Sequence, residues 1–85
     1  MLLPNLGLWQ ALKNKRLELA HEQGVPPYII FHDSSLIEIH QKKPKTLSEF
    51  ATISGVGQNK LQRYGAAFIH VISSHASDEK TAEIN

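Results

Sequence analysis

Val25-Pro26-Pro27-Tyr28-Ile29-Ile30-Phe31 is the stretch whose reading decides the fold. Residues 28–31 make the only β-like run in the chain. A strand that short needs a partner, and no second run of β-branched and aromatic residues offers one. The double proline directly before it favours a different role: a tight apolar turn that plugs into a core. With strands set aside, the flanking segments must supply the fold as helices.

On the N-terminal side, Leu8, Leu12 and Leu19 recur at helical spacing, with Trp9 and Ala20 beside them. Lys13, Glu18 and Glu22 fall outside that stripe. The pattern predicts a helix from about Leu8 to Gln23, closed by Gly24 as a left-handed cap. Residues 1–7 read as a linker remnant. On the C-terminal side, Asp33 is the expected N-cap of a helix over 34–42, with Leu36, Ile37 and Ile39 turned inward. Lys42 and Lys43 suit its last turn, and Pro44 stops it. Thr46-Leu47-Ser48-Glu49 matches a capping box opening a short helix, with Leu47, Phe50 and Ile53 facing in. Leu61, Tyr64, Phe68, Val71 and Ile72 mark a last helical region over about 58–74, in which Gly65 predicts a bend or a break. Residues 76–85 carry no apolar period and should fray. The expected fold is all-α: a compact single-domain bundle of about five short helices over residues 8–75, followed by a flexible polar tail over 76–85.

Composition narrows the function. The chain has 85 residues, 41% hydrophobic and 20% charged, enough for one domain with a thin core and little room for a buried cleft. It has no cysteine, which removes disulfides, zinc–thiolate sites and thiol nucleophiles and fits a reducing compartment. No apolar run reaches membrane-spanning length, and the N-terminus lacks the basic flank of a signal peptide. The net charge of +1 is uneven. Residues 75–85 hold Asp78, Glu79 and Glu83 against Lys80, which leaves eight Lys/Arg against five Asp/Glu in residues 1–74. That mildly basic balance permits weak nucleic-acid binding.

Three features carry candidate chemistry. Ile53-Ser54-Gly55-Val56-Gly57, followed by Lys60 and Arg63, has the spacing of a glycine turn that opens a helix toward a phosphate. It equally fits a plain junction in which Gly55 ends one helix and Gly57 begins the next. Lys42, Lys43 and Lys45 straddle Pro44 and are either DNA contacts or a solvated face. Lys13, Lys15 and Arg16 cluster on the first helix, where Arg16 falls near the apolar stripe and reads as partly buried and structural. Tyr28, presented by stiff prolines, either stacks on an unpaired base or packs on the bundle with its hydroxyl wet. The five histidines show no metal-ligand spacing, no phosphate-binding glycine–lysine loop is present, and no catalytic constellation emerges. Neither a cofactor nor a metal is expected.

The order Leu8…Leu12…Arg16…Ala20, then Val25-Pro26-Pro27-Tyr28-Ile29-Ile30-Phe31-x-Asp33, then Leu36…Pro44-x-Thr46, then Gly55-Val56-Gly57-x-x-Lys60 and Tyr64-Gly65, resembles the HRDC domain, the helicase and RNase D C-terminal module. The resemblance covers about residues 8–74 and is nearest to bacterial RecQ helicases. It implies a five-helix, non-catalytic auxiliary domain whose parent is a cytoplasmic, nucleoid-associated ATP-dependent helicase of DNA repair and recombination. It implies a monomer that holds single-stranded or junction DNA weakly, with no membrane role. It places the family's exposed aromatic on Tyr28. Lys13, Lys42, Lys43, Lys45, Lys60 and Arg63 are the candidate phosphate contacts. Two other settings follow from the same resemblance: a regulatory module that touches the helicase core or a partner protein, and an RNA-processing enzyme. Lys43 departs from the pattern, standing where an apolar residue is expected before Pro44.

Overall fold

Proline opens the first two helices, at the position where its missing N–H removes no hydrogen bond. A computed structural model describes the backbone of residues 4–84 and the side chains of residues 7–75. Its helices are α1 (Pro4–Gln23), α2 (Pro27–Ile30), α3 (Asp33–Lys42), α4 (Leu47–Phe50) and α5 (Gln58–Ile84). Among the described residues there is no strand, and no helix is long and apolar enough to cross a membrane. α1 packs against α2, α3 and α5, and α4 packs against α5. The fold is all-α as expected, but the helices are not uniformly short: α1 has 20 residues and α5 has 27. α1 begins at Pro4, so residues 4–7 of the expected linker are helical. The expected frayed tail falls on residues whose side chains lie outside the described set, although the α5 backbone runs to Ile84.

The Pro-Pro-Tyr segment is one turn of helix. Ile29 N–H donates to the Pro26 carbonyl at 3.0 Å and Phe31 N–H to that of Pro27 at 3.4 Å. This turn drives Ile30 and Phe31 into the core and leaves Tyr28 and Ile29 outside. The Phe31 ring lies 5.2 Å from Phe68 and 5.9 Å from both Phe50 and Tyr64, edge-on or tilted, as aromatic quadrupoles prefer. The buried Tyr64 hydroxyl donates to Gln23 Oε1 at 2.9 Å, which satisfies its one polar atom.

Arg16 is the structural arginine that its position predicted. Its side chain is 13% exposed, and one guanidinium nitrogen, Nη1, donates both to the Phe31 carbonyl at 2.9 Å and to Asp33 Oδ1 at 2.8 Å. That second contact corrects the capping expectation for Asp33. With its carboxylate engaged by Arg16, Asp33 is the first residue of α3, and His32 is the N-cap without a side-chain cap. Leu36 and Ile39 are buried as expected, whereas Ile37, one step around the helix, is half-exposed.

The remaining joints follow their local chemistry. Gly24 closes α1 as a Schellman motif: Val25 N–H donates to the Ala20 carbonyl and Gly24 N–H to that of His21. Lys43 takes the left-handed role at the end of α3, with φ of 48° and its N–H donated to Ile39 at 2.8 Å. The capping box of α4 forms one residue wider than expected. Thr46 Oγ1 accepts from Glu49 N–H at 3.1 Å, while Glu49 Oε1 accepts from Lys45 N–H at 2.8 Å. Leu47 is half-exposed, and Phe50 and Ile53 carry the burial.

Gly65 does not break α5, which runs continuously through it. A Cβ there would lie 2.9 Å from Leu47 Cδ2, so the glycine serves the close approach of α4. Gly55 is more tightly constrained. It has φ of 84°, and a Cβ would meet Ser35 Oγ at 2.5 Å. Ser35 is buried and fixed by its own hydrogen bond to the Ser54 carbonyl at 2.7 Å.

Two pairs of substitutions test these joints by urea unfolding. Gly55→Ala is expected to cost about 2–3 kcal/mol, because backbone strain and a fixed obstacle coincide. Gly65→Ala is expected to stay within about 1 kcal/mol of the parent, because better helix propensity offsets a shift of the half-exposed Leu47 side chain. Equal costs at the two glycines would contradict this account. Arg16→Met is expected to cost about 1–3 kcal/mol, since it strands a partly buried carbonyl. Asp33→Asn is expected to cost less than about 1 kcal/mol, since its carboxylate is largely solvated. An Asp33 effect as large as that of Arg16 would show that the ion pair, not the carbonyl, matters.

Candidate nucleic-acid interface

The aromatic turn offers the best-defined surface. Tyr28 is 54% exposed, although its neighbours Ile30 and Phe31 are fully buried. Its ring lies against His32, with centroids 5.9 Å apart and planes inclined by 26°. The turn beneath is held from inside by the Ile30 and Phe31 side chains and by Arg16 on the Phe31 carbonyl. The result is an aromatic ring on an anchored backbone, open to solvent.

Two of the expected cations rest on rings of the core cluster that anchors the turn. Lys60 Nζ lies 5.9 Å from the centre of the Phe31 ring, its stem half-buried in the manner of a snorkelling lysine. The Arg63 guanidinium lies 5.6 Å from the Tyr64 ring centre and is exposed. Phe31 and Tyr64 are themselves 5.9 Å apart, so the two cations rest on neighbouring rings of one aromatic cluster.

The other candidates stand elsewhere. Lys13 Nζ is 5.6 Å from the Trp9 ring centre, and Trp9 in turn tilts against His40 of α3 at 5.5 Å. The 42–45 group is not a uniform basic patch. Lys42 pairs with Glu38 at 2.8 Å. The Lys42 hydrogen bond first, and the Ser54 N–H second, hold the Glu38 carboxyl below its ordinary range. Lys43 is half-buried at the end of α3, and Lys45 is exposed. No described contact joins Lys13, Lys42, Lys43 or Lys45 to Tyr28.

The glycine turn is filled by protein. Ser35 occupies the space beneath Gly55, and the Ser54 N–H donates to Glu38 Oε1 at 3.2 Å. A carboxylate on this loop repels a phosphate, and Gly57 serves α5 by accepting from Leu61 N–H at 2.9 Å. Of the two readings left open by the sequence, the junction is the one observed. Among the described residues, no group of three or more histidine, aspartate or glutamate side chains could hold a metal ion. Sequence reasoning missed His32 as a neighbour of Tyr28. The contact forms across extended Phe31 and His32, which join α2 to α3, so no helical spacing rule in the sequence shows it.

Comparison with known proteins agrees with this architecture. Residues 5–72 match the family model of the HRDC domain. The chain is 41% identical over 69 residues to an ATP-dependent DNA helicase RecQ of Bacillus subtilis, an alignment covering 81% of this chain and 12% of that protein. It is 36% identical over 78 residues to an ATP-dependent DNA helicase RecQ of Haemophilus influenzae, covering 92% of this chain and 13% of that protein. The chain therefore corresponds to about an eighth of the length of these relatives. Among solved structures, HRDC domain 3 of D. radiodurans RecQ superimposes with a TM-score of 0.78 at 30% identity, covering 82% of this chain and 92% of that one. In sequence and in the packing of its helices, the chain is a member of the HRDC domain family.

Proposed function

We propose that this domain is a non-catalytic auxiliary module of a RecQ-type ATP-dependent DNA helicase, holding single-stranded or junction DNA weakly while the motor acts elsewhere in the parent chain. The observation that carries this reading is Tyr28: a half-exposed ring on a turn anchored from inside, with Lys60 and Arg63 held over the anchoring rings. A base stacked on such a ring is worth about 1–3 kcal/mol, and the neighbouring cations supply the phosphate term. Lys13, Lys43 and Lys45 are flanking contacts on this reading. Lys42 contributes least, since Glu38 already neutralises it. The protein acts as a monomer at the nucleoid, in cis with the helicase core.

A second reading is a contact module for the helicase core or a partner protein. It is favoured by the half-exposed apolar side chains Leu17, Ile29, Ile37 and Leu47.

Titration of a fluorescent single-stranded oligonucleotide at low and moderate salt separates the two. The nucleic-acid reading expects micromolar or weaker binding that falls with salt, as non-specific binding does. Tyr28→Ala should weaken it about tenfold. Lys60→Gln and Arg63→Gln should each flatten the salt slope by about one phosphate, and a combined Lys42/Lys43/Lys45 alanine variant by less than three. A folded wild-type domain that binds no DNA at low salt would reject this reading in favour of the protein-contact one.

A further inference from the structure

Tyr28 does not stand alone on its turn, and its neighbour is built as firmly as it is. His32 is exposed, and its ring is stacked on that of Tyr28. Its backbone is clamped on both sides by one group: Arg16 Nη1 donates to the carbonyl of Phe31, the residue before, and to the carboxylate of Asp33, the residue after. The His32 carbonyl also accepts the first hydrogen bond of α3, from Leu36 N–H at 3.0 Å. No described residue hydrogen-bonds to either of its ring nitrogens.

We infer that His32 is the second group of the nucleic-acid platform, a binding residue that covers one face of Tyr28 and offers its ring N–H edge to the phosphodiester of the nucleotide stacked on the other. The inference rests on the nucleic-acid reading above and deepens it. Offset rings at this separation attract, so His32 limits the orientations of the exposed phenol before any ligand arrives. A base then stacks on a face already held in place. The imidazole donates one N–H when neutral and two when protonated. The charged group next to it in the chain is Asp33 of α3, which is paired with Arg16 of α1 at 2.8 Å, and Lys60 of α5 rests on the ring of the preceding Phe31.

The test uses a fluorescein-labelled oligothymidylate of about fifteen nucleotides, long enough to span one small binding module. Wild type, Tyr28→Ala, His32→Ala and His32→Phe are titrated at moderate salt, at about pH 7.5 and about pH 6, the interval in which histidines gain charge. His32→Ala is expected to weaken binding about three- to tenfold, the range that one aromatic pair supports. His32→Phe, which keeps a ring, should lie within about twofold of wild type at the higher pH. The difference between variants is the readout: at the lower pH wild type should tighten more than His32→Phe. Thermal unfolding like that of wild type is expected for both variants, because the side chain is exposed. Wild-type affinity in His32→Ala, alongside a loss in Tyr28→Ala, would overturn the role of His32 and leave the nucleic-acid reading intact. Equal tightening of wild type and His32→Phe at the lower pH would overturn the phosphate contact. Undiminished binding by Tyr28→Ala would overturn the stacking reading itself, and this inference with it.

Discussion

The structure depends on how residue 31 is held. The Phe31 ring stands among Phe50, Tyr64 and Phe68, and so joins α4, α5 and the turn that follows α1. Its carbonyl belongs to a segment between helices, where no ladder partner is available, and Arg16 supplies one from α1. The two contacts are complementary. The ring gives apolar burial without direction, and the guanidinium fixes the direction in which the segment runs. Loss of a buried phenylalanine side chain costs about 3–5 kcal/mol, a large share of what a domain of this size holds in reserve.

This inner anchoring determines what the outer surface presents. A single helical turn places Ile30 and Phe31 inside and Tyr28 and Ile29 outside, and Pro26 and Pro27 limit the alternatives. The same aromatic cluster gives Lys60 and Arg63 rings to rest against, and neither has an acidic partner among the described contacts. By contrast, much of the remaining basic charge is already engaged: Lys15 with Glu18, Arg16 with Asp33 and Lys42 with Glu38. The small net charge thus conceals a local asymmetry. The basic residues that remain available are fewer than the count suggests, and two of them rest on rings of the aromatic cluster.

Much of this was legible in the sequence because it rests on local rules. The 3.6-residue period marked Leu8, Leu12, Leu36, Ile39, Phe68 and Ile72 as core, and capping chemistry located Gly24, Pro44 and Thr46. The structural role of Arg16 followed from a charge placed near an apolar stripe. What was missed depends on contacts between distant segments. Asp33 reads as a cap because nothing local shows that Arg16, 17 residues earlier, engages its carboxylate. Gly65 suggests a bend or a break in the sequence, because the approach of Leu47 that it serves belongs to another helix. Ile37 and Leu47 were placed inside because apolarity alone does not tell which side of a short helix is covered. The glycine turn showed its two possible uses, and only the positions of Ser35 and Glu38 separated them.

The central claim is that the Pro-Pro-Tyr turn is as firmly held as the core helices, so that Tyr28 is presented by a rigid backbone. Native-state hydrogen exchange of the Phe31 amide tests it most directly, since that N–H closes the turn on Pro27. The account predicts that this amide exchanges only through the global unfolding that also exposes Leu12 and Phe68. Exchange through a local opening, orders of magnitude faster than at those core positions, would show that the turn moves independently and would contradict it.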